Sequence, residues 1–297
     1  MAKIPNSLIE QLNVNGVIPL IGAGVSMSLT RNNKRLFPSW KELLKAAGEK
    51  LKSEGQDDGA ILVNIYIKEG KYQKAAEEAH QRLKGKIWID FIREQFDHPL
   101  EDLDIDCINL PKSIWELSNR IITLNYDLVL NRAHPSPYKL VTIDNSNSSS
   151  FNDFLNCTYD KDIAWHLHGK LDSPEHIVLN AESYIGLYNE NISSAYEAAM
   201  TTLKRTVGSK SLLFVGCSLN DAELLQVLAK EYELFSKNSA THYALVCKDD
   251  HEKVNAIIED SNLPIVIIQY ESHGQPLLQL MNELISKKKI HLLKNLQ

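Results

Sequence analysis

Short runs of β-branched and aliphatic residues recur along the chain, separated by longer stretches whose apolar positions return every three to four residues. Read as strands, the short runs are Val17–Ile21, Arg120–Leu124, Lys139–Ile143, Ile163–Leu167, Ile177–Leu179, Ser211–Val215, His242–Cys247 and Pro264–Tyr270. Several are apolar almost throughout, the pattern of a strand covered on both faces, which belongs to parallel sheets. Helical spacing predicts helices over Trp40–Ser53, Ile61–Lys68, Tyr72–Leu83, Lys86–Phe96, Glu182–Arg205, Asp221–Phe235, Asp249–Asp260 and Gln275–Lys287. The last third alternates strand and helix three times. That is the pattern of an α/β fold with a doubly wound, mostly parallel sheet.

The alternation is interrupted once. About 100 residues separate the first strand from Arg120, and they read almost purely helical, too many for a simple crossover. The expected organisation is one domain over residues 1–297, with a helical insertion lobe over residues 36–111. The polar stretch Asp144 to Asp153 has loop composition and reads as a mobile surface segment. No internal repeat is evident.

Composition narrows the function classes. The chain has 297 residues, 43% of them hydrophobic, which excludes disorder as the dominant state. Its 32 basic and 38 acidic residues give a net charge of −6, so direct nucleic-acid binding is not expected. Cys107, Cys157, Cys217 and Cys247 are too far apart for a Cys-x-x-Cys pair, so no metal is expected, and Cys217 and Cys247 read as buried thiols of a reducing compartment. Met1 to Glu10 carries no secretory pattern, and the longest uncharged stretch, Gly16 to Thr30, is too short to span a bilayer. A cytoplasmic protein without membrane association is expected.

Four groups of residues could carry chemistry, and each falls at the carboxyl end of a predicted strand. Gly22-Ala23-Gly24-Val25-Ser26 follows the first strand, and glycines there let the backbone turn tightly and approach a phosphate. Met27 breaks the full G-x-G-x-x-G pattern, so a tight turn without a ligand accounts for the glycines equally well. Asn125 and Asp127 follow the Arg120 strand, where open α/β sheets bind ligands; either could equally cap the next helix. His166 and His168 point to the same side if the strand continues through both. They could be a metal pair, but no third ligand stands at a compatible spacing; His168, before Gly169, suits a general base, and His166 suits a structural role. Gly216-Cys217-Ser218, running into Asn220 and Asp221, offers a second small-residue turn that is not a nucleophile elbow. Together the four describe one crevice.

Taken in order, these residues resemble the sirtuin-like NAD-hydrolase family of bacterial antiphage defence systems, a zinc-free branch of the sirtuin superfamily. Gly22-Ala23-Gly24-Val25-Ser26 is similar to the family's G-A-G-x-S, Asn125-Tyr126-Asp127 to its Asn-x-Asp, His168-Gly169 to its catalytic His-Gly, and Gly216-x-Ser218 to its second nucleotide-binding turn. Phe37-Pro38-Ser39-Trp40, Tyr184 within Asn180–Tyr188, and Ser218-Leu219-Asn220-Asp221 also resemble that branch. The paired zinc cysteines and the Asp-Phe-Arg segment of protein-deacylating sirtuins are missing here; Arg31 to Arg35 leads instead to Phe37.

The resemblance implies a Rossmann-like sheet and hydrolysis of NAD, its substrate, to ADP-ribose and nicotinamide, depleting the cell of NAD in antiviral abortive infection. It casts Asn125 and His168 as catalytic, and Gly22, Ala23, Gly24, Ser26, Asp127, Gly216 and Ser218 as nucleotide-binding. It also implies control by homo-oligomerisation or by a protein partner, with a HerA-like ATPase expected first and an Argonaute-like or phage protein as further options. A non-catalytic NAD or ADP-ribose sensor, an NAD-dependent protein deacylase and a purely structural subunit are the competing readings.

Overall fold

The computed structural model describes residues 3–101, 103–156, 160–189, 196–235 and 237–294. The chain opens with α1 (Asn6–Asn13), the central strand β1 (Val17–Ile21), a short α2 (Ala23–Met27) and a hairpin of β2 (Thr30–Arg31) and β3 (Lys34–Arg35). Four helices follow: α3 (Trp40–Ser53), α4 (Asp57–Lys68), α5 (Tyr72–Arg82) and α6 (Lys86–Phe96). The chain then passes through α7 (Asn109–Leu117), β4 (Arg120–Thr123), α8 (Val129–Ala133), β5 (Leu140–Asp144), α9 (Phe151–Asn156) and β6 (Asp162–His166). It closes with α10 (Ala181–Tyr188), α11 (Glu197–Ser209), β7 (Ser211–Val215), α12 (Ala222–Leu234), β8 (His242–Cys247), α13 (His251–Asp260), β9 (Ile265–Tyr270) and α14 (Gln275–Lys294).

Among the described residues, seven strands form one sheet in the order β5-β6-β4-β1-β7-β8-β9, and every pairing is parallel. Alternate side chains reach opposite faces, as the strand period requires. Ile18, Leu20, Trp165, Leu212 and Phe214 pack under α9 to α13, whereas Val17, Ile21, Ile121, Leu213 and Val215 pack against α1, α7 and α14. Both faces are covered, which is why these strands read as continuous apolar runs.

The direction in which the chain leaves each strand positions the site. After β1 and β4 it turns toward the face of α1, α7 and α14; after β6 and β7 it turns toward the face of α10 and α12. Where neighbouring strands send their connections to opposite faces, a crevice opens beyond their carboxyl ends. That happens twice here, between β1 and β7 and between β4 and β6.

Helices α3 to α6 share a core of their own, in which Leu43, Leu44, Val63, Ala75, Ala79, Phe91 and Ile92 are buried. Ser39 and Glu42 form a reciprocal capping box that starts α3, and Arg82 pairs with Glu78 and Asp58 to tie α5 to α4. The lobe touches the sheet domain through Val129, Leu171 and Leu179. Helix α7 lies outside this core, because Leu110, Ile114 and Leu117 face the sheet.

Two expectations are corrected. Ile177–Leu179 is not a strand; the apolar Val178 and Leu179 are buried in a connecting segment that runs beside His168, where the Val178 N–H bonds the His168 carbonyl at 2.8 Å. Residues 144–153 are not a continuous polar loop. Asp144 ends β5, and Phe151 and Phe154 on α9 pack edge-on against Trp165 with centroids 4.9 and 5.3 Å away. Two aromatic residues outweigh the polar composition around them. The helix expected over Glu182–Arg205 is α10 and α11, with residues 190–195 outside the described residues, as is Cys157. No helix among the described residues is long and apolar enough to cross a membrane.

Candidate active site

The ends of β1 and β7 run in register, Ile21 opposite Val215, so the two small-residue turns begin side by side. The Gly22 N–H donates to the Val215 carbonyl at 3.0 Å and the Gly24 N–H to the Gly216 carbonyl at 2.9 Å. A Cβ on Gly22 would lie 2.6 Å from the Gly216 oxygen, and one on Gly216 would lie 2.7 Å from the Val25 nitrogen at a φ of +65°. The glycines are therefore demanded by the approach of the two turns to each other. Ala23 and Ser218 are exposed and Gly24 and Gly216 partly so, and these four form the solvent side of the paired turns. Leu219, buried, sits in the left-handed region at φ +53°, a sterically disfavoured conformation held by the fold around it. Burial pushes the Cys217 thiol up to about 12, which keeps it protonated and unreactive at neutral pH.

Asn125 stands one strand away, beyond β4. Its side-chain amide donates to the Gly22 carbonyl at 3.1 Å and to Ser26 Oγ at 3.0 Å, while its backbone N–H bonds Thr123 Oγ1. Both amide hydrogens are thus taken within the protein, leaving Oδ1 as the atom able to accept from a ligand. Ser26 also bonds the Asp127 carboxyl, and Asp127 Oδ1 accepts the Val129 N–H at 3.0 Å. Burial raises the Asp127 pKa, against the lowering effect of those hydrogen bonds. Asp127 caps the turn into α8 and also steadies Ser26, and hence Asn125.

The two histidines diverge, because β6 ends at His166 and the alternation does not extend to His168. His166 turns to the loop after β4, with Nδ1 at 3.0 Å from the Asn125 carbonyl and Nε2 at 3.1 Å from Asn131 Oδ1. It is fully buried, and desolvation pushes its pKa down to about 4, so it is a neutral strut behind Asn125. His168 turns toward α10 and α12. Its Nε2 lies 2.9 Å from Tyr188 Oη and 3.4 Å from Asp221 Oδ2, and the ring meets Tyr184 edge-on with centroids 5.4 Å apart. Only 3% of His168 is exposed; burial lowers its pKa, and the Asp221 and Glu223 charges oppose that shift. The imidazole is neutral at neutral pH, as a base must be. Gly169 is required beside it, since its φ is +83° and a Cβ would lie 2.4 Å from the His176 oxygen.

Thus the residues singled out in the sequence lie on four strand ends at one edge of the sheet. Gly22, Ser26, Asn125 and Asp127 are joined by hydrogen bonds, and Gly24 is bonded to Gly216 beside them; His168 lies beyond, one strand further along. The sequence reading missed that Tyr188 and Asp221 hold His168. A signal existed: the Asn180 and Ser183 capping box starts α10 and puts Tyr184 and Tyr188 four residues apart on one face. Asp221 read as a cap, which it is, through Oδ1 to the Leu224 N–H at 2.9 Å; its other oxygen faces the imidazole.

Residues 119–266, from the start of β4 into β9, match the model of the SIR2-like domain. The chain therefore carries a SIR2-like domain over these residues. The chain is also similar to the NAD(+) hydrolase ThsA of Bacillus cereus (strain MSX-D12), at 22% identity over 245 residues, 81% of this chain and 45% of that protein. It spans less than half the length of that relative. The SIR2-like match contains Asn125, Asp127, His168, Gly216 and Ser218, and β1 with its glycine turn lies before it.

Proposed function

We propose that this protein hydrolyses NAD+ to ADP-ribose and nicotinamide, with the reacting ribose held at the carboxyl ends of β1, β4, β6 and β7. The observation that carries the reading is the pairing of a buried neutral imidazole, backed by the Asp221 carboxylate, with an asparagine whose amide hydrogens are already engaged, beside two interlocked glycine turns. The family match and the similarity to an NAD(+) hydrolase support it.

In this mechanism the bond between the ribose C1′ and the pyridinium nitrogen breaks, and its electron pair neutralises the leaving nicotinamide. The oxygen of a water molecule bonds C1′, and the proton released passes to His168 before returning to solvent. The Asp221 carboxylate stabilises the imidazolium formed in that step. Asn125 Oδ1 accepts a hydrogen bond from a ribose hydroxyl or from the attacking water. Ala23, Gly24, Gly216 and Ser218 offer the surface on which the diphosphate and second ribose rest, while Gly22, Ser26 and Asp127 keep that surface and Asn125 in place.

The test is nicotinamide release from NAD+, followed by chromatography. Replacing Asn125 or His168 with Ala is expected to cut turnover by about 10²–10⁴-fold while thermal melting and NAD binding persist. Full activity in both variants would overturn the assignment. A second reading, a sensor that binds NAD without cleaving it, draws support from the enclosure of His168 by Tyr184, Tyr188 and Asp221. Calorimetric binding without nicotinamide release under any partner condition would select it. Consumption of acetyl-peptide would select deacylation.

Control by assembly belongs to the same proposal, because a cytoplasmic enzyme that empties a cell of NAD in abortive infection must be silent at rest. Homo-oligomerisation or a partner, a HerA-like ATPase first and an Argonaute-like or phage protein otherwise, would supply the switch. Mass photometry with and without each candidate, paired with the nicotinamide assay, separates these routes.

A further inference from the structure

Two strands away from β1, at the same edge of the sheet, a second group of side chains converges outside the site described above. Cys247 is the last residue of β8 and pairs in register with Tyr270, the last of β9. Asp250 closes the single 3-10 turn that follows β8, and His273 lies just beyond β9. The Cys247 sulfur, an Asp250 carboxylate oxygen and a His273 ring nitrogen all lie within 4.8 Å of one another.

None of the three is strongly engaged elsewhere. Asp250 precedes α13 without capping it through its side chain, and its contact with His273 Nε2 is 3.5 Å. The Cys247 thiol reaches the Glu271 carbonyl only at 3.9 Å, and His273 Nδ1 lies 3.5 Å from Tyr270 Oη. We propose that Cys247, Asp250 and His273 form a binding site for a borderline divalent metal ion, with Zn2+ the best fit.

The donor chemistry selects the ion. One thiolate, one imidazole and one carboxylate suit Zn2+, whereas Mg2+ and Ca2+ take oxygen ligands. With metal–ligand bonds of about 2.0–2.3 Å, a tetrahedral ion holds its ligand atoms about 3.3–3.7 Å apart. The Asp250–His273 separation of 3.5 Å already has this value. The other pairs, within 4.8 Å, need close by no more than about 1 Å, which side-chain torsion of Asp250 and His273 supplies. Two of the three ligands are open to solvent, His273 at 72% and Asp250 at 54%, giving an entry path and a fourth position for water, while the sulfur is buried behind them. Binding displaces the thiol proton, and thiolate plus carboxylate neutralise the ion's two charges. Tyr270 would orient the His273 ring through Nδ1, leaving Nε2 to face the metal. A sequence search for paired cysteines cannot find this site, because its ligands come from the end of β8, the turn that follows it and the connection after β9. The inference does not depend on the NAD reading.

The experiment uses the full chain, stripped with chelator and then titrated with Zn2+ against a chromogenic competitor at pH 7.5. The wild type is expected to take one equivalent and to melt at higher temperature with Zn2+ than without it, while Mg2+ produces no shift. His273→Ala, at an exposed position that leaves the core intact, should weaken Zn2+ binding by about 10–100-fold or more, and Cys247→Ser further still. Equal Zn2+ uptake by wild type and His273→Ala, or no uptake by the wild type at micromolar Zn2+, overturns the site.

Discussion

His168 and Asp221 are coupled by a charge whose effect can be isolated. Burial holds the His168 pKa below its ordinary 6.5 and the Asp221 carboxylate holds it up, so the basic form dominates at neutral pH and is lost on acidification. Replacing Asp221 with Asn retains a good helix cap and removes the charge. The acid limb of the NAD hydrolysis rate is then expected to move to lower pH, with kcat reduced because the imidazolium loses its partner. An unmoved limb would separate Asp221 from the imidazole. The position of His168, at a strand end before a glycine, could be read from the sequence; its partners could not. They lie 20 and 53 residues further on, and a capping aspartate looks the same whether or not its second oxygen faces an imidazole. Asn125 was legible as a residue at a strand tip, but the engagement of both its amide hydrogens by Gly22 and Ser26 depends on the fold.

Among the elements, the two glycine turns bear on one another more than on open space. Gly216→Ala combines a left-handed φ with a contact of 2.7 Å to the Val25 nitrogen, and should destabilise by about 2–4 kcal/mol in urea denaturation. Ser218→Ala, two residues away and exposed, should leave the urea midpoint unchanged while weakening NAD binding. The apolar strands that carry these turns were legible because a strand buried on both faces is apolar almost throughout. The apolar run at 177–179 has the same composition and is not a strand, because burial in a connection selects the same residues as burial in a sheet. Helices α1 and α7 escaped notice for the opposite reason: each is one short turn-pair, polar outward, whose apolar stripe has meaning only against the sheet.

For the whole molecule, the buried histidines make stability depend on pH. His166 and His242 are held neutral in the folded chain with pKa values pushed down to about 4, whereas in the unfolded chain they titrate near 6.5. Their stabilisation is complete above pH 6.5 and is lost as pH falls toward 4, by about 3 kcal/mol for each. Urea midpoints should fall across that window, and His242→Asn, which keeps an acceptor for the Leu212 N–H, should flatten the fall. Joining β1 to β7 also sets an order on assembly. The backbone near residue 216 is the surface on which residues 22 and 24 rest, so almost two hundred residues must be synthesised after the first turn before its counterpart exists. A chain still emerging from the ribosome, or cut short ahead of β7, has no floor on which its first glycine turn can settle.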